Sequence, residues 1–100
     1  MEYELRRNRI KAGHLDEFID AWLSGVVPLR RRFGFRFGGA WIVEATGELV
    51  WILAYDGPDG FDAANERYYA STERLALDPD PAQWFESAHS ERVRSIIDPG

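Results

Sequence analysis

Residues 35–56 read FRFGGAWIVEATGELVWILAYD, and this stretch decides the fold. Phe35 to Ala45 and Glu48 to Asp56 are rich in aromatic and β-branched residues, as strands require. Thr46-Gly47 between them puts glycine in the second place of a two-residue connection, which signals a hairpin. Both runs are apolar on both faces, with Trp41, Ile42 and Val43 in one and Val50, Trp51, Ile52 and Leu53 in the other. Strands of that kind belong to a sheet covered on both sides.

Working outward, Glu2 to Ile10 alternates Tyr3 and Leu5 against Glu4, Arg6 and Asn8, a strand with one polar face. Ala12-Gly13 ends it. From His14, the residues Leu15, Phe18, Ile19, Trp22, Val26, Leu29 and Phe33 form the apolar stripe of a helix. Its start is acidic (Asp16, Glu17, Asp20) and its end basic (Arg30, Arg31, Arg32), as the helix dipole favours. The basic run reads most simply as a helix C-terminus, with a phosphate-binding patch as the alternative. Pro28 cannot donate to the Ser24 carbonyl, so a kink is expected near Gly25–Pro28.

On the C-terminal side of the hairpin, Asp56 to Gly60 is a loop, and Asp59 with Asp62 three residues on reads as a capped helix start. Phe61, Ala64, Tyr68, Ser71 and Leu75 carry the helical spacing. Asp78-Pro79-Asp80-Pro81 stops that helix and starts a short one, with Asp80 as N-cap and Pro81 in the first helical position. The short helix is expected to carry Trp84, Phe85 and Ala88. Glu91 to Asp98 alternates again and predicts the last strand.

Composition bounds the function. The chain has 100 residues, a single domain's worth, with 45% hydrophobic and 29% charged residues. Cysteine is absent, which removes disulfides, thiolate metal sites and cysteine nucleophiles. A net charge of −5 argues against a nucleic-acid partner. The longest uncharged stretch, Ala21 to Leu29, is too short to span a bilayer, and Glu2 and Glu4 do not suit a signal peptide. The expected setting is therefore cytoplasmic. Among the basic residues only Lys11 is lysine, a codon preference of GC-rich bacterial genomes.

The element order is β-α-β-β-α-(α)-β, a ferredoxin-like split βαβ sandwich in the α+β class. Helices cover one face of such a sheet. The apolar residues of the other face call for a partner, and a second copy meeting it face to face completes a dimeric α+β barrel.

At this point particular residues become recognisable. Tyr3-Glu4-Leu5-Arg6, Lys11-Ala12-Gly13, Pro28-Leu29, Gly39-Ala40-Trp41 with Glu44 and Gly47, and Trp51-Ile52-Leu53-Ala54-Tyr55-Asp56 stand in an order and spacing that resembles the NIPSNAP family. The resemblance runs from Tyr3 to about Phe61 and weakly to the terminal strand. It implies a dimeric α+β barrel and says little about chemistry, since most bacterial members have no assigned reaction. The chain departs from the family pattern at Trp51, where a histidine is expected, and at Leu53, where a second aromatic is expected.

Several kinds of site find no support. His14 and His89, without a carboxylate cluster, make a poor metal site. No serine has a G-x-S-x-G context, and Gly34, Gly38 and Gly39 do not make a dinucleotide turn. No cofactor is called for. The informative feature is the polar face of the first strand, which neighbours the third at the centre of a split βαβ sheet. Arg6 as a fixed cation, Asn8 as an orienting amide, Tyr55 as proton donor or acceptor and Trp51 as a flat face could bind a small anionic or enolic molecule. Trp22 and Tyr69 would be helix-side walls, and His89 an outside candidate. Several barrel relatives of this fold act on aromatic or polyketide-like molecules without cofactor, by proton transfer or oxygenation, and the resemblance in fold implies such a molecule here.

The competing reading has Glu4 and Arg6 pairing with charges across the dimer while Tyr55 only packs. The protein would then be a non-catalytic interaction or stress-associated dimer module with a filled core. A more remote analogy sets Asn8, Tyr55 and His89 against the Asn/Trp/His arrangement of small haem-degrading monooxygenases of this fold. Parity alone does not choose the pocket face, since one bulge reverses it.

Overall fold

The computed structural model describes residues 1–97. Four strands, β1 (Glu2–Ile10), β2 (Arg36–Val43), β3 (Glu48–Tyr55) and β4 (Phe85–Val93), form one antiparallel sheet in the order β2-β3-β1-β4. With its helices between β1 and β2 and between β3 and β4, this is the α+β, ferredoxin-like architecture. Strands β1 and β3 are central neighbours, with Arg6 opposite Trp51 and Glu2 opposite Tyr55.

The first helical stretch is continuous but changes pitch. α1 (Leu15–Ala21) passes into a π-helical segment (Trp22–Val26), then α2 (Val27–Arg32). The Val27 amide reaches back five residues to the Trp22 carbonyl, so the wide turn lies immediately before Pro28. The expected kink is thus realised as a π turn, which absorbs the hydrogen bond that proline cannot make. α3 (Phe61–Ala70) and the short α4 (Thr72–Leu75) follow, and one 3₁₀ turn (Pro81–Trp84) leads into β4.

The helices cover one face of the sheet. Phe18, Leu29, Leu53, Phe61 and Tyr68 are all but inaccessible in the core between the layers. On the opposite face Tyr3, Leu5, Val50 and Ile52 remain half-buried, and Trp41 is 56% exposed. The Trp41 ring lies over Gly39, where a Cβ would collide with it and where φ is +141°. Glycine there serves both the backbone and the packing.

Four local expectations need correction. The hairpin connection is four residues, 44–47, not Thr46-Gly47 alone, because Val43 already accepts from the amides of Thr46 and Gly47. Asp59 does not cap α3. The N-cap is Gly60, and the Phe61 amide is satisfied instead by the Glu2 carboxylate at 2.9 Å. The second helix does not run on to Leu75, since Ser71 turns the chain and caps α4. Lastly, the short helix ends at Trp84, and Phe85 and Ala88 already belong to β4, paired opposite Ile10 and Asn8. The strand was expected over Glu91–Asp98. Asp98 lies outside the described residues, and β4 begins six residues earlier than Glu91 because its partner β1 extends that far.

Candidate functional site

A cleft of about 420 Å³ opens between the sheet and the helices. Arg6 and Asn8 of β1 and Trp51 of β3 form its floor, while Asn65, Tyr68 and Tyr69 of α3 face them. Trp22 and Val26 from the π segment, together with Pro81, Phe85 and Ala88, make an apolar side. Arg30 and Arg74 complete the polar side.

Arg6 is the organising residue of that polar side. Its Nε donates to Glu4 at 2.7 Å, its Nη1 to the Tyr69 hydroxyl at 3.0 Å and its Nη2 to the Asn65 carbonyl oxygen at 3.2 Å. The same Asn65 oxygen accepts from Arg30 Nη1 at 2.9 Å, so one neutral amide joins two guanidinium groups. Arg30 is 1% exposed and rests on the rings of Tyr68 (3.7 Å), Phe35 (4.6 Å) and Tyr69 (5.0 Å). Among the described residues no carboxylate comes within ion-pair distance of it. Burial, with the Arg6 charge adding to it, brings its pKa down to about 10. Arg30 Nε, Tyr68 OH and Arg74 Nε are buried without a hydrogen-bond partner, and all three residues line this cleft.

Tyr69 sits among these cations. Burial alone would raise its phenol, but Arg6, Arg30, the hydrogen bond from Arg6, and Arg74 outweigh it, and the net shift is downward.

The structure therefore brings together Arg6, Asn8, Trp51, Trp22 and Tyr69 among the candidate residues. Their roles differ from those expected. The Asn8 carbonyl oxygen accepts from the Trp51 indole at 2.8 Å in a buried bond, so that oxygen is already committed. Trp51 does not offer an open flat face, since Phe37 stacks on it at 5.9 Å and the Arg6 guanidinium lies 5.2 Å from the ring centre. His89 stands opposite Arg7 on the helix-free side, 3.7 Å from Glu91, and only joins the rim of the cleft.

Tyr55 is not brought into the cleft. It shares the face, but it lies four residues along β3 from Trp51, roughly 13 Å at the ordinary strand rise. There its hydroxyl donates to Asp59 at 2.6 Å and accepts from Arg67 at 3.3 Å, and its ring packs on Phe35 at 5.0 Å. Asn8, Tyr55 and His89 accordingly do not converge, and the geometry of the haem-monooxygenase analogy is not found.

Sequence reasoning missed Arg30, Asn65 and Arg74. Arg30 does lie in the last turn of its helix, as the basic run implies, but Arg31 and Arg32 are exposed and Arg30 is not. The signal was available in spacing, since Trp22, Val26 and Arg30 recur every four residues along one helical row, as do Phe61, Asn65 and Tyr69. Among the described residues no group of three or more His, Cys, Asp and Glu could hold a metal ion, and no helix is long and apolar enough to cross a membrane.

The sequence matches no protein-family model and no curated protein. Solved structures do match, and over the full chain. An uncharacterised NIPSNAP domain protein from Burkholderia xenovorans is 25% identical, with 100% of each chain covered and a TM-score of 0.83. A NIPSNAP family protein of unknown function from Agrobacterium tumefaciens is 20% identical, covering 99% of this chain and 92% of that one, with a TM-score of 0.83. An antibiotic biosynthesis monooxygenase is 14% identical, covering 97% and 100%, with a TM-score of 0.72. The NIPSNAP resemblance carried by Lys11-Ala12-Gly13, Gly39-Ala40-Trp41 and the Trp51–Asp56 run is thus matched by full-length structural neighbours of that family.

Proposed function

We propose that this NIPSNAP-like protein binds a small organic molecule, aromatic or polyketide-like and bearing an acidic or enolic oxygen, in the cleft between sheet and α3. The observation that carries this reading is the cleft itself. At about 420 Å³ it falls within the ordinary range of ligand pockets, roughly 300–1,000 Å³, whereas an interaction module with a filled core would leave no such space. Arg6, Asn65 and Tyr69 would orient the ligand, with Trp22 and Phe85 against its apolar part. Turnover without a cofactor, by proton transfer or oxygenation, is the enzymatic form of the same reading. The monooxygenase among the structural neighbours favours oxygenation, and the Arg6–Tyr69 contact supplies a candidate proton-transfer group.

The reading includes a bacterial, cytoplasmic setting and a homodimer built on the helix-free face. A second copy would cover Tyr3, Leu5, Trp41, Val50 and Ile52, and sedimentation at about twice the 11.5 kDa chain mass is the expected result. Binding is tested by Ser90→Trp. Ser90 is exposed, lies on edge strand β4 opposite Arg6 and lines the cleft, so the indole would occupy the space without replacing a buried residue. Aromatic acids that quench the intrinsic fluorescence of the parent protein should lose that effect in the variant. Unchanged quenching would move binding elsewhere.

A further inference from the structure

We infer that the cleft selects a ligand with a single negative charge, an apolar or aromatic monocarboxylate whose acid group lies on the Arg6–Arg30–Arg74 side and whose body lies towards Trp22 and Phe85. This rests on the ligand-binding reading and adds the charge, the residues that read it and the orientation. Three guanidinium groups line the polar side. Arg6 is paired with Glu4 at 2.7 Å and Arg74 with Asp80 at 3.2 Å. Arg30 has no carboxylate, only the neutral Asn65 amide, aromatic faces and the neighbouring Tyr69 phenol. One positive charge is therefore left without a counter-charge.

Buried charges are ordinarily paired, because an isolated one loses its hydration without return. Here the uncompensated cation sits beside an open cleft, where an anion can enter. The depressed pKa of Arg30 agrees with a missing partner. The buried polar atoms left without partners also belong to this side, at Arg30, Tyr68 and Arg74. The Tyr69 hydroxyl accepts from Arg6, which leaves its own proton for a ligand oxygen. A dianion is disfavoured by the same count: Glu4 and Asp80 neutralise the other two arginines, so a second negative charge would meet carboxylates with no cation to spare. Carboxylate also suits the forked donors of arginine. The wall of Trp22, Val26 and Phe85 gives the remainder of the ligand an apolar surface.

The test uses the full chain and three probes of one shape, 1-naphthoate, 1-naphthamide and 1-naphthyl phosphate, titrated by calorimetry at pH 7.5. Naphthoate should bind at least about tenfold more tightly than the amide, the size of one charge-assisted hydrogen bond, and no more weakly than the phosphate. In Arg30→Met the carboxylate-over-amide preference should fall to within about threefold. Should that variant fold poorly, Arg74→Met serves, because it removes one positive charge from the cleft lining while Asp80 stays in place as the cap of the 3₁₀ turn. Equal affinity for acid and amide in the parent, a phosphate that binds most tightly, or a preference that survives both variants would overturn charge selection while leaving ligand binding in place. If none of the three binds, the ligand-binding reading itself fails and this inference falls with it.

Discussion

The two ends of the helix-covered face each place a tyrosine beside an arginine, and they treat it in opposite ways. At one end, Tyr55 donates to Asp59, and Asp59 is in turn held by Arg67. The bond to Asp59 is the main reason its phenol is pushed up. Phe35 packs on its ring with Phe61 behind Phe35, and a Cβ on Gly57 would fall on its hydroxyl and ring. At the other end, Tyr69 accepts from Arg6, lies near Arg30 and Arg74, and has its phenol pushed down. The difference teaches that sharing a sheet face is not sharing a site. A carboxylate partner holds the first phenol up, and neighbouring guanidinium groups hold the second down.

The contrast can be broken most strongly at the closed end. Phe61 is 1% exposed, packs edge-on against Phe35 at 5.6 Å and lies 4.5 Å from the Arg92 guanidinium. Phe61→Ala should cost about 3–5 kcal/mol in urea unfolding, enough to leave a chain this small close to its threshold. A loss below about 1 kcal/mol would mean that end is not the structural one.

A smaller effect is expected at the floor of the cleft. Asn8→Ala leaves the buried Trp51 indole N–H without its acceptor and should cost about 1–2 kcal/mol, with a shift in tryptophan emission as the indole rearranges. An unchanged urea midpoint would show that water replaces the amide and that Asn8 is free to act on a ligand.

The smallest effect sharpens the comparison directly. Tyr69 is held below its ordinary pKa, so raising pH through the alkaline range favours the native state over the unfolded one at that site. Tyr55 is held above, so its contribution is present below the unfolded pKa of about 10 and is lost as pH rises through the folded value. Ultraviolet titration should therefore lose its earliest tyrosinate component in Tyr69→Phe and keep it in Tyr55→Phe. The alkaline fall in urea midpoint should be steeper in Tyr69→Phe than in the parent. The reverse order of titration would remove the distinction between the two ends.

Much of this was legible beforehand, and the misses share a cause. The β1 alternation and the stripe from Leu15 to Phe33 are periodic signals that separate the two faces of an element, and the doubly apolar β3 marks a central strand. They lead to the strand order, to Arg6 facing Trp51, and to Trp22 and Tyr69 as walls. Tyr55 was misplaced because period two assigns a face and is silent about position along it. The start of β4 was misread because Phe85-Glu86-Ser87-Ala88 has weak strand character alone and is held in the sheet by β1.

By itself, then, the sequence determined the main strands and helices, their order and which residues of β1 share a face, because backbone periodicity and turn chemistry are local properties. Tertiary structure alone decided that Arg30 lies buried while its two neighbours are solvated. It decided as well that Asn65 joins two guanidinium groups and that Glu2 caps a helix 59 residues away. Charge and hydrogen-bond partners depend on distances across the fold, and those are set only when the helices settle on the sheet.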